Sequence, residues 1–275
     1  MKKLLLGLTA ALFLVACGGT KEEAKTETKS AEKPAKVEKL IVGATPVPHQ
    51  ELLELVKDDL KAQGVELEIV TFNDYIQPNK LLGTKELDAN FFQHVPYMED
   101  FGKKNNLDLV SVGSVHVEPM AVYSKKIKNV SELQDGAKVV VPNDPTNRGR
   151  ALILLEKQGL IKLKDANNLL STVLDIVENP KNLNITEVDT SVAARALDDV
   201  DLAVVNNTYA GQVGLNAQDN GVFVEDKDSP YVNIIVARTD NKDSKAVQDF
   251  VKSYQTEEVY DEAKKYFKDG VVKGW

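Results

Sequence analysis

The chain has 275 residues, of which 34 are basic and 42 acidic, giving a formal net charge of −8 at pH 7. An acidic surface is unsuited to nucleic acid, so we do not expect nucleic acid as a partner. Cys17 is the only cysteine. With no disulfide within the chain, packing must hold the folded part together.

The N-terminal residues have the features of a lipoprotein signal peptide. Two lysines precede an apolar run that ends at Ala16, which is too short for a membrane-spanning helix of about 20 residues. The run closes with "LVAC", which is similar to the lipobox of bacterial lipoproteins. We therefore predict a signal peptide at 1–16. The lipobox implies a diacylglyceryl group on Cys17, although a lone cysteine can also be a buried apolar residue.

The next segment has a composition typical of a disordered linker. It reads "GGTKEEAKTETKSAEKPAKVE", with no aromatic residue and a single valine. Such a segment cannot bury enough apolar surface to order itself. We predict that residues 17–38 comprise the lipidated cysteine and a flexible tether to the membrane.

From Leu40 onward, strand-like runs alternate with helix-like segments. The predicted strands are 40–45, 65–72, 87–92, 107–124, 137–144, 201–207 and 231–238. The predicted helices are 48–64, 77–87, 146–159, 191–199 and 244–267, with a capped turn at 129–136. Strands separated by helices predict mostly parallel sheets with helices on their faces.

Two of these runs suggest a division into lobes. The pieces 107–124 and 231–238 are more extended than crossover strands need to be. We predict that they connect two α/β lobes, with lobe 1 at 39–121 and 235–275 and lobe 2 at 122–234. A single sheet of about eight strands is the alternative.

Polar and aromatic residues follow the ends of several predicted strands, where α/β sheets bind ligands. The residues concerned are His49, Tyr75, His94, Tyr97, Arg150 and Asn206. A packed core does not require them there. Their clustering predicts a ligand site at one edge of the fold.

Arg150 is placed by the sequence near the start of a helix, where the helix dipole disfavours a cation. We predict that its guanidinium and the free N–H groups of the helix hold an anionic group. The alternative is a surface arginine satisfied by Asp144 or by solvent. Arg148 is the weaker candidate, and the same alternative applies to it.

Asn206 and Asn233 can each present a side-chain carbonyl to an ammonium group, or they can cap turns. With one arginine they have the chemistry to bind an α-amino acid. Aromatic walls suit a thioether, because sulfur–aromatic contacts contribute about 0.3 to 1.5 kcal/mol each. This favours methionine.

A metal site and an enzyme active site are the competing interpretations. Only His116 and Glu118, two apart on a predicted strand, form a plausible pair of metal ligands. The chain has no P-loop, G-x-S-x-G, H-E-x-x-H or C-x-x-C motif. We expect neither enzyme activity nor a cofactor.

Several blocks of sequence together resemble the methionine-binding lipoproteins of bacterial ABC importers, which are of the NlpA type. They are "VGATPVPHQELLE" (42–54), "FNDYIQPNKLLGTKELDANFFQHVPYM" (72–98), "SVHVEPMAVYSKK" (114–126), "NDPTNRGRALILLEKQGLIKL" (143–163), "IVENPKNL" (176–183), "AVVNNTYA" (203–210) and "SPYVNIIVAR" (229–238). The resemblance runs from about residue 40 to 240. Family members often have a smaller residue at the position of Arg148.

The resemblance implies a two-lobed, type II periplasmic-binding fold with two hinge strands and a ligand between the lobes. It implies that Arg150 binds the carboxylate of the ligand and that Asn206 and Asn233 hold its backbone groups. The implied aromatic wall is Tyr75, Phe92, His94 and Tyr97, with His116 and Glu118 nearby. The choice between Phe91 and Phe92 stays open, because adjacent strand residues point to opposite faces.

The function implied is capture of L-methionine by a monomer, lipid-anchored on the extracytoplasmic face of a cell membrane, for delivery to a permease and its ATPase. The rival ligands are D-methionine, a methionine-containing dipeptide or another amino acid. The rival functions are metal capture, enzyme activity and adhesion.

Overall fold

The computed structural model describes residues 37–268 and 271–275. The predicted signal peptide, Cys17 and most of the predicted linker lie outside these residues. None of the described helices is long and apolar enough to cross a membrane.

The strands are β1 (Glu38–Ala44), β2 (Val65–Thr71), β3 (Ala89–His94), β4 (Leu109–Val117), β5 (Ala121–Tyr123), β6 (Lys138–Pro142), β7 (Lys162–Leu163), β8 (Ile176–Glu178), β9 (Asn184–Val188), β10 (Leu202–Val205), β11 (Gly221–Val224), β12 (Val232–Arg238) and β13 (Val272–Lys273). The α-helices are α1 (Glu51–Leu55), α2 (Lys57–Ala62), α3 (Gln77–Gly83), α4 (Val95–Asn105), α5 (Pro145–Lys157), α6 (Asn207–Gln212), α7 (Ala217–Asn220), α8 (Lys245–Tyr254) and α9 (Glu257–Phe267). A wide helical turn at Pro46–Gln50 precedes α1, and 3₁₀ turns occupy Val130–Glu132, Val173–Asp175 and Thr190–Asp198.

The described strands form two main sheets, one in each lobe. The first sheet has the order β13-β4-β12-β3-β1-β2, and the second has the order β11-β5-β10-β6-β9. The pairs β1–β2, β1–β3, β6–β9 and β10–β6 are parallel, whereas β12 runs antiparallel to both β3 and β4. The first sheet is mixed because the chain that returns from the second lobe inserts β12 in the opposite direction, and the second is mixed because β5 runs antiparallel to β10 and β11.

Each sheet buries apolar residues on both of its faces. On one face of the first sheet, Leu52 and Phe250 pack against Val42 and Ile235, and Leu82 and Met98 belong to the cluster on its other face. The second sheet separates a cluster around Leu152 and Val204 from one around Leu197 and Tyr209. Each lobe therefore has its own core.

The chain passes between the lobes twice. The first passage, Glu118 to Met120, joins β4 to β5, and the second, residues 225–231, joins β11 to β12. The two-lobed architecture with two connecting segments is thus as predicted. Ala121 lies in the second sheet and Val232 to Ile234 lie in the first, so the two passages lie within a few residues of the predicted lobe limits, which stay a prediction.

The carboxyl ends of β1, β3 and β4 in the first lobe and of β6 and β10 in the second all lead into one region. Asn233, at the start of β12, pairs with His94 at the end of β3 because the two strands are antiparallel. The strand directions therefore place polar residues from both lobes around a single cavity.

Candidate ligand-binding site

The cavity at this edge measures about 350 Å³, counting the part that is open to solvent. Its lining residues come from both lobes and from the first passage between them: Tyr75, Phe92, Gln93, His94, Tyr97, Glu118, Asn147, Arg150, Asn206, Asn207, Thr208 and Asn233. The lining combines aromatic rings with amide and charged side chains.

Aromatic rings form one wall of the cavity. The ring of Tyr75 lies 5.7 Å from that of Phe92 and 6.1 Å from that of Tyr97, and Phe92 and Tyr97 are 6.0 Å apart. The hydroxyl of Tyr97 donates to the backbone carbonyl of Tyr75 at 2.9 Å, which holds the two rings in place. The ring of Tyr209, which was not predicted from the sequence, packs 5.0 Å from that of Tyr75 without lining the cavity.

Phe91 and Phe92 point to opposite faces of β3, as the alternation of a strand requires. Phe91 is fully buried in the core, where its ring lies 4.9 Å from Tyr254 and 4.5 Å from His49. Phe92 lines the cavity. The structure therefore places Phe92 in the candidate site and Phe91 outside it.

His94 ends β3 and caps α4. Its Nδ1 accepts a hydrogen bond from the backbone N–H of Tyr97 at 3.2 Å, so the ring proton of the neutral form lies on Nε2. Nε2 then donates to Asn147 Oδ1 at 3.2 Å. Burial, and secondarily the charge of Arg150, lowers the pKa of His94 to about 3. The imidazole is therefore neutral at physiological pH.

Asn206 presents an acceptor without a partner. Its Nδ2 donates to Asn147 Oδ1 at 2.8 Å, while its Oδ1 is buried and makes no hydrogen bond in the described part of the chain. The buried side chain of Asn233 also lines the cavity. A buried acceptor left unpaired costs about 1 to 3 kcal/mol, so such groups indicate a ligand.

The position of Arg150 in its helix differs from the one expected from the sequence. Arg150 lies beyond the first turn of α5, and the N-terminus of that helix is already capped by Asp144, which accepts from the backbone N–H of Asn147 at 3.0 Å. Arg150 therefore does not belong to the first turn, and one of the N–H groups at the start of the helix is already bound by Asp144. The expected position of Arg150 near the helix start was wrong, whereas its binding of an anionic group stays a prediction.

Most of the guanidinium of Arg150 is already bound within the protein. Nε donates to Glu225 Oε1 at 3.0 Å, and Nη2 donates to Glu225 Oε2 and, at 2.7 Å, to the carbonyl of Glu118. Its Cζ lies 4.4 Å from the centre of the Tyr231 ring. Of the three guanidinium nitrogens, only Nη1 has no partner among the described residues, so a bidentate contact with a ligand would require Glu225 to move.

Arg148 lies outside the cavity. Its Nη1 bonds to Glu187 at 3.1 Å and its Nε donates to the carbonyl of Ser171 at 3.2 Å. It is satisfied by the protein, as the alternative interpretation proposed, although by Glu187 and not by Asp144.

Glu118 lies between two histidines. Its Oε1 is 3.1 Å from His116 Nε2 and 2.9 Å from His49 Nε2, and Thr45 contacts the other side of the His49 ring at 2.7 Å. Burial opposes the charge of Glu118, but the two histidines hold the pKa of the carboxyl below its usual range. Glu118 lines the cavity, whereas His116 lies behind it.

The structure thus brings eight of the nine predicted ligand-binding residues to one cavity and leaves His116 behind Glu118. Sequence reasoning missed Asn147, Tyr231 and Glu225. Asn147 stands three residues after Asp144, the spacing of a helix cap and the N–H that it binds, and that signal could have identified it. Among residues 37–268 and 271–275, no group of three or more His, Cys, Asp or Glu side chains is arranged so that it could hold a metal ion.

Comparison with known proteins agrees with this architecture. The family model described as NlpA lipoprotein matches residues 40–275. The probable D-methionine-binding lipoprotein MetQ of Haemophilus influenzae is 68% identical over 275 residues, which cover 99% of each chain.

Two solved structures are also similar. The methionine-binding protein MetQ has a TM-score of 0.84 and 53% identity, covering 86% of this chain and 98% of that one. A nutrient-binding protein from Burkholderia cenocepacia bound to methionine has a TM-score of 0.83 and 42% identity, covering 86% of this chain and all of that one.

Proposed function

Because the chain belongs to the NlpA lipoprotein family, we propose that it binds L-methionine between its lobes and delivers it to the permease and ATPase of an ABC importer. The observation that carries this proposal is the unpartnered, buried Oδ1 of Asn206 in a cavity walled by aromatic rings. This combination fits a small ligand with a hydrogen-bond donor at one end and an apolar group at the other.

The cavity offers hydrogen-bond acceptors for the ammonium group of the ligand and a charged donor for its carboxylate. Asn206 Oδ1 is an acceptor for the ammonium, Asn233 offers a further amide, and the carboxylate of Glu118 lines the same cavity. Arg150 Nη1 is a charged donor for the carboxylate. Charge-assisted hydrogen bonds of this kind are about twice as strong as neutral ones.

The apolar end of the ligand would lie against Tyr75, Phe92, His94 and Tyr97. Because His94 is neutral, it adds no charge that would favour an anionic side chain. A thioether suits such rings, and relatives whose printed names include methionine support the choice.

The stereochemistry is the finer part of the proposal. The H. influenzae relative is named for D-methionine, and D-methionine is therefore the principal alternative ligand. Methionine-containing dipeptides and other amino acids are less favoured, because the relatives that are named for a ligand are named for methionine. We place the protein, as a monomer, on the extracytoplasmic face of a cell membrane, anchored through lipid on Cys17.

Mass spectrometry of the small molecules released when the purified protein is denatured tests the ligand class. We expect methionine at close to one molecule per chain, and chiral chromatography would give its hand. A different amino acid, a peptide or a metal ion in its place would overturn the proposal.

A further inference from the structure

Asn147 lies at the centre of a buried hydrogen-bond network between the lobes. It is 2% exposed, and its Oδ1 accepts from two side chains, Asn206 Nδ2 at 2.8 Å and His94 Nε2 at 3.2 Å. Asn147 and Asn206 belong to the second lobe and His94 to the first. A single amide oxygen therefore bridges the two lobes at the cavity.

Asp144 fixes the orientation of the Asn147 amide. Its Nδ2 lies 3.0 Å from Asp144 Oδ1 and 3.1 Å from Oδ2. Thr190 Oγ1 also donates to Asp144 at 2.8 Å, and so does the backbone N–H of Asn147 at 3.0 Å. A carboxylate surrounded by donors acts as an acceptor, so it must face the NH₂ group of Asn147 and not its oxygen.

This orientation determines that of Asn206. Because Asn147 Oδ1 points toward Asn206, the NH₂ group of Asn206 must face Asn147 Oδ1. Asn206 Oδ1 then faces away from Asn147. A flipped Asn206 would place two amide oxygens against each other and present a donor to the cavity. The order of the network, Asp144 to Asn147 to Asn206, thus decides whether the cavity offers an acceptor or a donor.

We propose that Asn147 is a positioning residue that selects ligands with an ammonium group, by holding the amide of Asn206 with its oxygen toward the ligand and joining it to His94 of the other lobe. The inference rests on the proposed function. It adds a residue whose effect on the ligand passes through Asn206.

Two ligands separate this role from a general structural one. L-methionine has the ammonium group, and 4-(methylthio)butanoate has the same chain and carboxylate without it. We expect Asn147→Ala to weaken methionine binding by about tenfold or more, as for the loss of a hydrogen bond to a charged group, and to weaken binding of the des-amino compound by less than about threefold. Isothermal titration calorimetry measures both.

A double-mutant cycle provides the second test. If Asn147 acts through Asn206, the Asn147→Ala change should cost little affinity for methionine once Asn206→Ala is present. Thr190→Val is the matched control, since it removes a donor to Asp144 without contacting Asn206. It should change the selectivity between the two ligands by less than about threefold.

Equal losses for the two ligands, or additive losses in the cycle, would overturn the inference. If Asn147→Ala does not fold, Asn147→Ser allows the same comparison of two ligands on one protein. Failure of the wild-type chain to bind methionine would instead overturn the proposed function, so the two failures are distinguishable.

Discussion

At the scale of single residues, the cavity combines groups already satisfied by the protein with a few that are not. Arg150 is the clearest mixed case, since Glu225 and the carbonyl of Glu118 occupy Nε and Nη2 while Nη1 has no partner among the described residues. Both passages between the lobes therefore contact one guanidinium. Arg150 has a structural role in addition to the ligand-binding role that we propose for it.

The two roles of Arg150 can be separated by mutation. Arg150→Met should weaken methionine binding by about tenfold or more and also destabilise the fold by about 3 to 5 kcal/mol, because Glu225 is left buried without its partner. Adding Glu225→Gln should restore much of the stability but not the affinity. Urea unfolding and calorimetry measure the two effects, and wild-type affinity in the double variant would exclude the carboxylate role.

His94 gives a pH dependence of stability. Its pKa is about 3 in the folded protein against 6.5 ordinarily, so between these values the unfolded chain binds the additional proton. The free energy of unfolding should therefore fall as pH drops from about 6.5 toward 3, by up to about 1.4 kcal/mol per pH unit from this residue.

The His94→Gln variant isolates that contribution. Other groups titrate in both proteins, so the difference between the wild-type and variant slopes reports His94. Urea unfolding at several pH values between about 4 and 7 should give a shallower slope in the variant. Parallel slopes would show that His94 is not held neutral by burial.

At the scale of elements, α5 is positioned by a close backbone contact. A Cβ on Gly149 would lie 2.0 Å from the carbonyl oxygen of Leu169, so only glycine lets the loop before Ser171 pack on the helix beside Arg148 and Arg150. The element that presents Asn147 and Arg150 to the cavity therefore depends on a residue that does not contact the ligand site.

Gly149→Ala should destabilise the protein by about 1 to 3 kcal/mol in urea unfolding, because the clash outweighs the higher helix propensity of alanine. Gly102→Ala in α4 is the matched control. Its Cβ would lie 3.2 Å from the carbonyl of Leu107, so the change should cost much less. Equal effects of the two substitutions would contradict the packing argument.

Elements were predicted well from the sequence where the hydrophobic pattern was long. The strands β1, β2, β3, β6, β10 and β12 and the helix α5 lie within or close to their predicted ranges. The predicted helix 244–267 is instead two helices, because the chain leaves helical geometry at Gln255 and Thr256 caps α9. The segment 191–199 is a 3₁₀ helix, a distinction that periodicity does not make.

The sequence analysis missed the helices α4, α6 and α7, and the strands that it missed are short or lie at an edge of a sheet. β7, β8 and β13 have two or three residues each, and β9 and β11 are edge strands of the second sheet. Their residues alternate too briefly to give a pattern. The pairing of Arg150 with Glu225 was also not predictable, because the two are 75 residues apart and only the fold brings them together.

At the scale of the whole molecule, two lobes share a cavity and two chain passages. Asn147 and His94 link the lobes directly, while Arg150 and Glu118 link the second lobe to the first passage. A ligand that contacts both lobes stabilises the arrangement in which they approach, which is the hinge closure of two-lobed binders. The proposed transport role depends on the release of those same contacts.

Calorimetric titration of the protein, freed of bound ligand by unfolding and refolding, is the most direct test of methionine binding. We predict that L-methionine binds at one site with a Kd between about 1 nM and 1 μM, and more tightly than D-methionine. Absence of binding by L-methionine at micromolar protein concentration, with the fold intact by circular dichroism, would contradict the proposed function.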